Sequence, residues 1–370
     1  MSIAELQCRI DKLSADIIRQ KEVLTNLERS KSGAQRQLNA FRDPMARLPL
    51  EISSEIFVLC LGSSLAQTRA RCAPMLLLNI CNGWTDIALC NTALWDSIHL
   101  HQPPAHLASL LDAWLKRSGS RVLSISLPVG ITDEISPVIV RHAHQLRDLK
   151  MYQDITFVAA GGPFPLLTTL TIAGVEEFSS RTSAARQNFL CSASATLGML
   201  GLCPNLVECT FDNANFDRDY AGEILVHSHM QHLKFGKYPH WSGDSILRHL
   251  SLPALETLSI SFFNLRLEDL LQFTRRSSPP LQKLILCNVV MAQWSGSLPE
   301  MEGCLSLLVT ALPMLMHREL LRSRSSVVPN HFLTILANSP HLLPNLSTLI
   351  FEFANPSYEK LSSALCARRT

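Results

Sequence analysis

Residues 252–260 read LPALETLSI, and the pattern they carry returns throughout 120–370. A short turn containing Pro leads into LxxLxL. The pattern begins at Leu146 (LRDLKM), Leu167 (LTTLTI), Leu206 (LVECTF), Met230 (MQHLKF), Leu255 (LETLSI), Leu281 (LQKLIL), Leu315 (LMHREL) and Leu346 (LSTLIF), and VLSISL at 122–127 supplies an earlier strand. In an extended chain the fourth and sixth positions point to one face and the third and fifth to the other. The leucines therefore feed a shared core. Amphipathic segments at 266–276 (RLEDLLQFTRR) and 330–338 (NHFLTILAN) read as helices between strands, and SYEKLSSALCARR closes the chain with another. A helix between consecutive strands permits a parallel crossover, so the strands can stack into one sheet with helices outside.

This unit resembles the leucine-rich repeat, in an irregular form whose starts are separated by 21 to 39 residues. The resemblance implies a solenoid. Two features depart from it. The Asn or Cys usual at the ninth position is replaced by residues such as Ala214, Phe263 and Val289, with Asn215 and Asn264 one place later. Arg318 stands where a fourth-position leucine belongs.

Upstream, 44–118 is dense in helix signals. Pro49 and Pro74 each suit the first position of a helix, which predicts helices over about 49–61 and 74–89. The first carries Leu50, Ile52, Ile56, Phe57, Leu59 and Leu61; the second carries Met75, Leu76, Leu77, Leu78, Ile80, Trp84, Ile87 and Leu89. Helices apolar on nearly every side cannot hide all of that surface within a short module, so some of it should meet another protein. A further helix over 104–118 has Leu107, Leu110, Leu111, Trp114 and Leu115 on one face, basic residues in its last turn and Gly119 as its C-terminal cap.

LPLEISSEIF at 48–57, followed by NICNGWTDIALCNTALWDSI, resembles the F-box motif: LPxE-I, a helix, an apolar helix ending in V/I-C-x-x-W, then L-W. It is matched here by Leu48, Pro49, Glu51, Ile52, Ile56, Leu61, Ile80, Cys81, Trp84, Leu94 and Trp95. The connection GSSLAQTRARCAP is longer than usual, and Gly83 replaces a basic or bulky polar residue. With a heptad helix before it and irregular repeats after it, the chain is similar to the expanded F-box families of mushroom-forming fungi. The resemblance implies a substrate receptor of an SCF-type ubiquitin ligase. Those eleven residues would dock a Skp-family adaptor and, through it, a cullin–RING ligase, while the repeats hold a protein substrate. The outward third and fifth positions are the expected substrate contacts: Glu208 and Thr210, His232 and Lys234, Thr257 and Ser259, Lys283 and Ile285. Their mixed signs suit a protein surface better than a polyanion.

At the N-terminus, 1–43 has an apolar heptad seam: Ile3, Leu6, Ile10, Leu13, Ile17, then Leu24, Leu27, Ala34, Leu38 and Phe41, with Gln20 and Lys31 filling the gaps. Ile at early a positions with Leu at d favours a two-stranded parallel coiled coil. A homodimer through 1–43 and a helix folded back on its own chain are the two ways to satisfy such a seam. The expected organisation is α/β: a coiled-coil helix at 1–43, a helical F-box at 44–100, a linking helix at 101–119 and a leucine-rich-repeat-like solenoid with a parallel sheet at 120–370.

Other function classes find little support. The 33 basic and 31 acidic residues give a net charge of +2, which predicts neither a nucleic-acid nor a membrane-surface partner. No apolar run reaches the ~18–20 residues of a membrane span. Eleven scattered cysteines without CxxC read as buried, reduced thiols of a cytoplasmic or nuclear protein. Phosphate loops, a GxSxG elbow and HExxH are missing, so neither an enzyme nor a cofactor is expected. His227, His229 and His232 in HSHMQH lack cysteine partners at zinc-ligand spacing and read as ordinary structural residues. A non-catalytic scaffold without any ubiquitin role, oligomerising through 1–43, is the alternative.

Overall fold

The computed structural model of the 370-residue chain describes residues 3–61, 72–100, 106–127, 134–152, 162–173, 190–191, 193–212, 215–216, 222–236, 244–261, 267–287, 303, 306–308, 310–323, 327–339 and 341–353. It is a mixed α/β protein with a long N-terminal helix and a parallel sheet. The chain divides into two compact units, residues 1–99 with 114–121 and residues 100–113 with 122–370.

The first unit begins with the helix Ile3–Phe41, and none of its residues is buried. Asp43 ends that run by accepting a hydrogen bond from the Met45 amide (2.9 Å), which caps a short 3-10 turn at Pro44–Arg47. Pro49 then caps the helix Leu50–Leu59. The expected second helix at 74–89 is instead two pieces, a 3-10 turn at Leu77–Asn79 and the helix Asn82–Cys90. The Thr85 hydroxyl explains the break locally. Its single proton is shared between the carbonyls of Leu78 and Cys81, each 3.0 Å away, and Cys81 is fully extended. Such a hydroxyl gives the backbone an alternative to a continuous helical ladder. The helix Leu107–Arg117 ends at Gly119, whose φ of +64° is the left-handed conformation that glycine adopts most readily.

In the second unit, nine strands lie side by side in chain order, every neighbour parallel: Leu123–Ser126, Leu146–Tyr152, Thr169–Ala173, Glu208–Asp212, His232–Phe235, Thr257–Ser261, Lys283–Cys287, His317–Ser323 and Thr348–Phe353. Each LxxLxL segment thus supplies a strand. Register aligns the fourth-position residues Leu149, Leu170, Cys209, Leu233, Leu258 and Leu284 in one buried row. Met151, Ile172, Phe211, Phe235, Ile260 and Leu286 form the next, in which Phe211 stacks on Phe235 with ring centroids 5.3 Å apart. Arg318 sits in register between Leu284 and Leu349.

Two backbone devices repeat along the sheet. Before five of the strands a four-residue turn closes with the fourth amide bonded to the first carbonyl: Phe164–Leu167, Cys203–Leu206, Leu252–Leu255, Leu312–Leu315 and Leu343–Leu346. Proline occupies the second place of each (Pro165, Pro204, Pro253, Pro313, Pro344), where its fixed φ suits the turn. At the start of six strands, two consecutive amides share one carbonyl of the preceding strand segment, as Gln282 and Lys283 share Glu256 O, both at 2.9 Å. Ala214, Phe263, Val289 and Asn264 lie outside the described residues, as does the expected C-terminal helix. Asn215 begins a two-residue strand paired with Leu190–Cys191. Asparagines do bridge turns, at a different place: Asn205 donates to Pro165 O (2.8 Å) and Asn345 to Pro313 O (3.3 Å).

Helix Leu267–Ser277 shows how the layer outside the sheet is tied down. Leu270, Leu271, Phe273 and Thr274 are buried, whereas Glu268, Gln272 and Arg275 face solvent. Arg276 donates to the carbonyls of Leu247 and Leu250, and Asp269 accepts two bonds from Arg248 at 2.8 and 2.9 Å. No helix of the described residues is long and apolar enough to cross a membrane.

Candidate functional site

The residues matched at 48–95 separate into a core and a surface. Trp95 is wholly buried. Its indole nitrogen donates to Ala88 O (2.8 Å), the Trp114 ring meets it edge-on at 4.8 Å, and the Arg117 guanidinium lies 4.7 Å from its ring centroid. Leu94 and Cys81 are also buried. Trp84, half-buried, packs against Phe57 at 4.9 Å and donates to Asp43 Oδ1 at 2.7 Å. Ile56, Leu61 and Ile80 are half-buried too. The sequence expectation gave all of these side chains to a partner. Cys81, Leu94 and Trp95 face inward instead, where Trp95 packs against Trp114 and bonds to Ala88 O.

The surface set lies just before the Leu50–Leu59 helix and around it, on more than one side. Leu48 is 40% exposed, Leu50 57%, Ile52 45% and Leu59 75%, and Pro49 and Glu51 are exposed beside them. Leu76 and Leu89 are exposed elsewhere in the same unit. Leu50 and Leu59 were absent from the sequence-derived site. Their signal was present, since a helix with mean apolar character all round has more surface than its own module can cover.

The second candidate surface is the open face of the sheet. Register places Asp148, Thr169, Glu208, His232, Thr257, Lys283, His317 and Thr348 in one row. Lys150, Thr171, Thr210, Lys234, Ser259 and Ile285 run beside it. Glu208 and Lys234 are exposed; His232, Thr257, Lys283 and Ile285 are half-buried. Thr210 and Ser259 are almost covered, being short side chains beside the longer Lys234. They offer a partner little. The two rows mix their charges: Lys150 shares a strand with Asp148, and Glu208 is followed by Lys234 and Lys283.

The histidines of HSHMQH serve three different local ends. His227 occupies the place that Phe164, Cys203 and Leu252 fill in other turns, buried, with Nε2 2.7 Å from Cys203 O. Burial holds its pKa below 6.5. His229 reaches Pro204 O at 3.1 Å, as Asn205 and Asn345 reach theirs. His232 is on the strand. Among the described residues no group of three or more His, Cys, Asp or Glu is placed to hold a metal ion. Cys203 and Cys209 are free and buried, and desolvation pushes the Cys203 thiol up to about 12 and Cys209 higher than its ordinary value. The expectation of uniformly buried thiols needs correcting, however: Cys8, Cys60 and Cys90 are exposed. They lie on helices or at a helix end with one face open.

No protein-family model matches the chain, and no curated protein matches it.

Proposed function

We propose that the chain is a non-catalytic substrate-receptor subunit of an SCF-type ubiquitin ligase. Residues 44–100 act as an F-box that docks a Skp-family adaptor, and residues 120–370 act as an irregular leucine-rich-repeat solenoid that holds a protein substrate. The observation that carries this reading is the division of one motif into two layers. Cys81, Leu94 and Trp95 are internal, with Trp84 half-buried against Phe57 and Asp43, while Leu48, Leu50, Ile52 and Leu59 stay exposed. Exposed leucines clustered around one short helix are a cost to a free module and a gain on docking, which is the pattern of an interaction surface. In-order parallel strands, five of them preceded by a Pro-containing turn and several by a helix, support the solenoid half of the reading. Site of action follows the partner, in the cytoplasm or nucleus.

Reconstitution tests the reading. The full chain mixed with a purified Skp-family adaptor and cullin should elute as one complex. A chain that stays apart from the adaptor would favour the scaffold without a ubiquitin role. Substrate binding is assigned to Glu208, Lys234 and Lys283, with His232, Thr257 and Ile285 around them. Reversing the three charges together should cost substrate capture and leave adaptor binding intact.

A further inference from the structure

The N-terminal helix offers a surface that nothing in its own unit covers. Placing Ile3 at an a position puts Ile3, Ile10, Ile17, Leu24, Lys31 and Leu38 at a, and Leu6, Leu13, Gln20, Leu27, Ala34 and Phe41 at d. The pattern holds without a skip from Ile3 to Phe41, the full extent of the helix. All of these side chains are exposed. Where the last turns of the helix meet the rest of the first unit, they do so from the opposite side. Arg36 donates to Asn79 Oδ1 (2.9 Å) and Asn39 to Ile80 O (2.8 Å), from f and b positions. The seam is therefore not the face with which the helix packs on its own unit.

We infer that this seam is the interface of a parallel two-stranded coiled coil formed with a second copy of the chain. Three features choose that occupant. A helix draws most of its stability from burying an apolar face, and this one, about 58 Å long, buries no residue within the chain. A sustained heptad with Ile at the early a positions and Leu at d fits two parallel strands. In that arrangement Gln20 meets Gln20 and Lys31 meets Lys31, a pair of polar layers that fix register. Full antiparallel overlap would instead set Lys31 against Leu13 and Gln20 against Leu24. Charge also fits. A parallel pair brings each g residue beside the partner's next e residue, so Asp16 lies next to the partner helix's Lys21, and the other g–e pairs hold no like charges. Asp16 meets Arg19 on its own helix as well, leaving a carboxylate between two cations. The dimer does not depend on the ubiquitin-ligase reading.

Sedimentation equilibrium of the full chain, with three variants, tests the inference. Wild type should be a dimer at micromolar concentration, and Leu13→Glu should weaken it about 100-fold or more by burying a charge in the seam. Ile18→Glu is the control: Ile18 is 59% exposed but at a b position, and its dimer should match wild type. Asp16→Lys should weaken the dimer about fivefold, and Asp16→Lys with Lys21→Asp should restore it, since surface pairs are worth only a few tenths of a kcal/mol each and two are present. A monomeric wild type, or equal effects of Leu13→Glu and Ile18→Glu, would overturn the coiled coil. Failure of the double exchange to restore what Asp16→Lys loses would overturn the parallel arrangement.

Discussion

The module at 48–95 and the sheet at 123–353 are both rich in leucine, and they use it in opposite ways. On the sheet the leucines of LxxLxL are buried row upon row, and the open face carries Glu208, Lys234, Thr257 and Lys283. In the module, Phe57, Trp95, Leu77 and Leu94 supply the core, while Leu48, Leu50 and Leu59 at the first helix are left outside. A strand alternates its faces at every residue, so an apolar pattern of period two has one buried side. A ten-residue helix with apolar residues on all sides has no such separation and must leave some of them in water. Leucine in the sheet therefore belongs to the core, and leucine on this helix is left open to solvent.

That contrast fails if truncating either set has the same effect. Phe211→Ala, which empties the stacked pair with Phe235, should destabilise the protein by about 3–5 kcal/mol in chemical denaturation. Asp269→Asn comes next. Its carboxylate is nearly buried but its partner Arg248 is 41% exposed, so the loss should be about 1–2 kcal/mol, and it should be smaller at high salt. Leu50→Ala should change stability by no more than ~0.5 kcal/mol. A loss from Leu50→Ala comparable to that from Phe211→Ala would remove the distinction between the regions.

His227 sharpens the comparison from within the sheet unit. Its buried ring prefers the neutral form, so the folded pKa lies below 6.5 and the unfolded chain binds the proton first. Its contribution is then fully present above pH 6.5 and is lost as pH falls through 6.5 toward the folded value. His142, also lowered by burial, acts in the same direction. His227→Leu restores the residue type found at Leu252, Leu312 and Leu343, and it should flatten part of the decline in stability between neutral and mildly acid pH. An unchanged pH profile in that variant would mean that the ring is hydrated in solution.

Much of this was legible in the chain. The strands fall at their LxxLxL segments because period-two burial leaves a direct trace, and the heptads of 3–41 mark one continuous helix for the same kind of reason. The helix expected at 74–89 shows the limit. Apolar content alone could not reveal that Thr85 captures two carbonyls across a break. Nor could a motif match say which of its residues face inward, because Trp95 becomes internal only when Trp114 and Arg117 arrive from a later helix. The Asn205 and Asn345 bridges were hidden because they lie in the turn, away from the repeat position where asparagine was sought.

We propose the exposed leucines of the first unit as a docking face for a Skp-family adaptor. Isothermal titration of that adaptor into the purified full chain, compared with Leu50→Asp/Ile52→Asp, tests it most directly. Wild type should bind saturably with a negative heat-capacity change, as apolar burial requires. The double variant, its thermal midpoint unchanged, should not bind. Equal binding by the two proteins would contradict it.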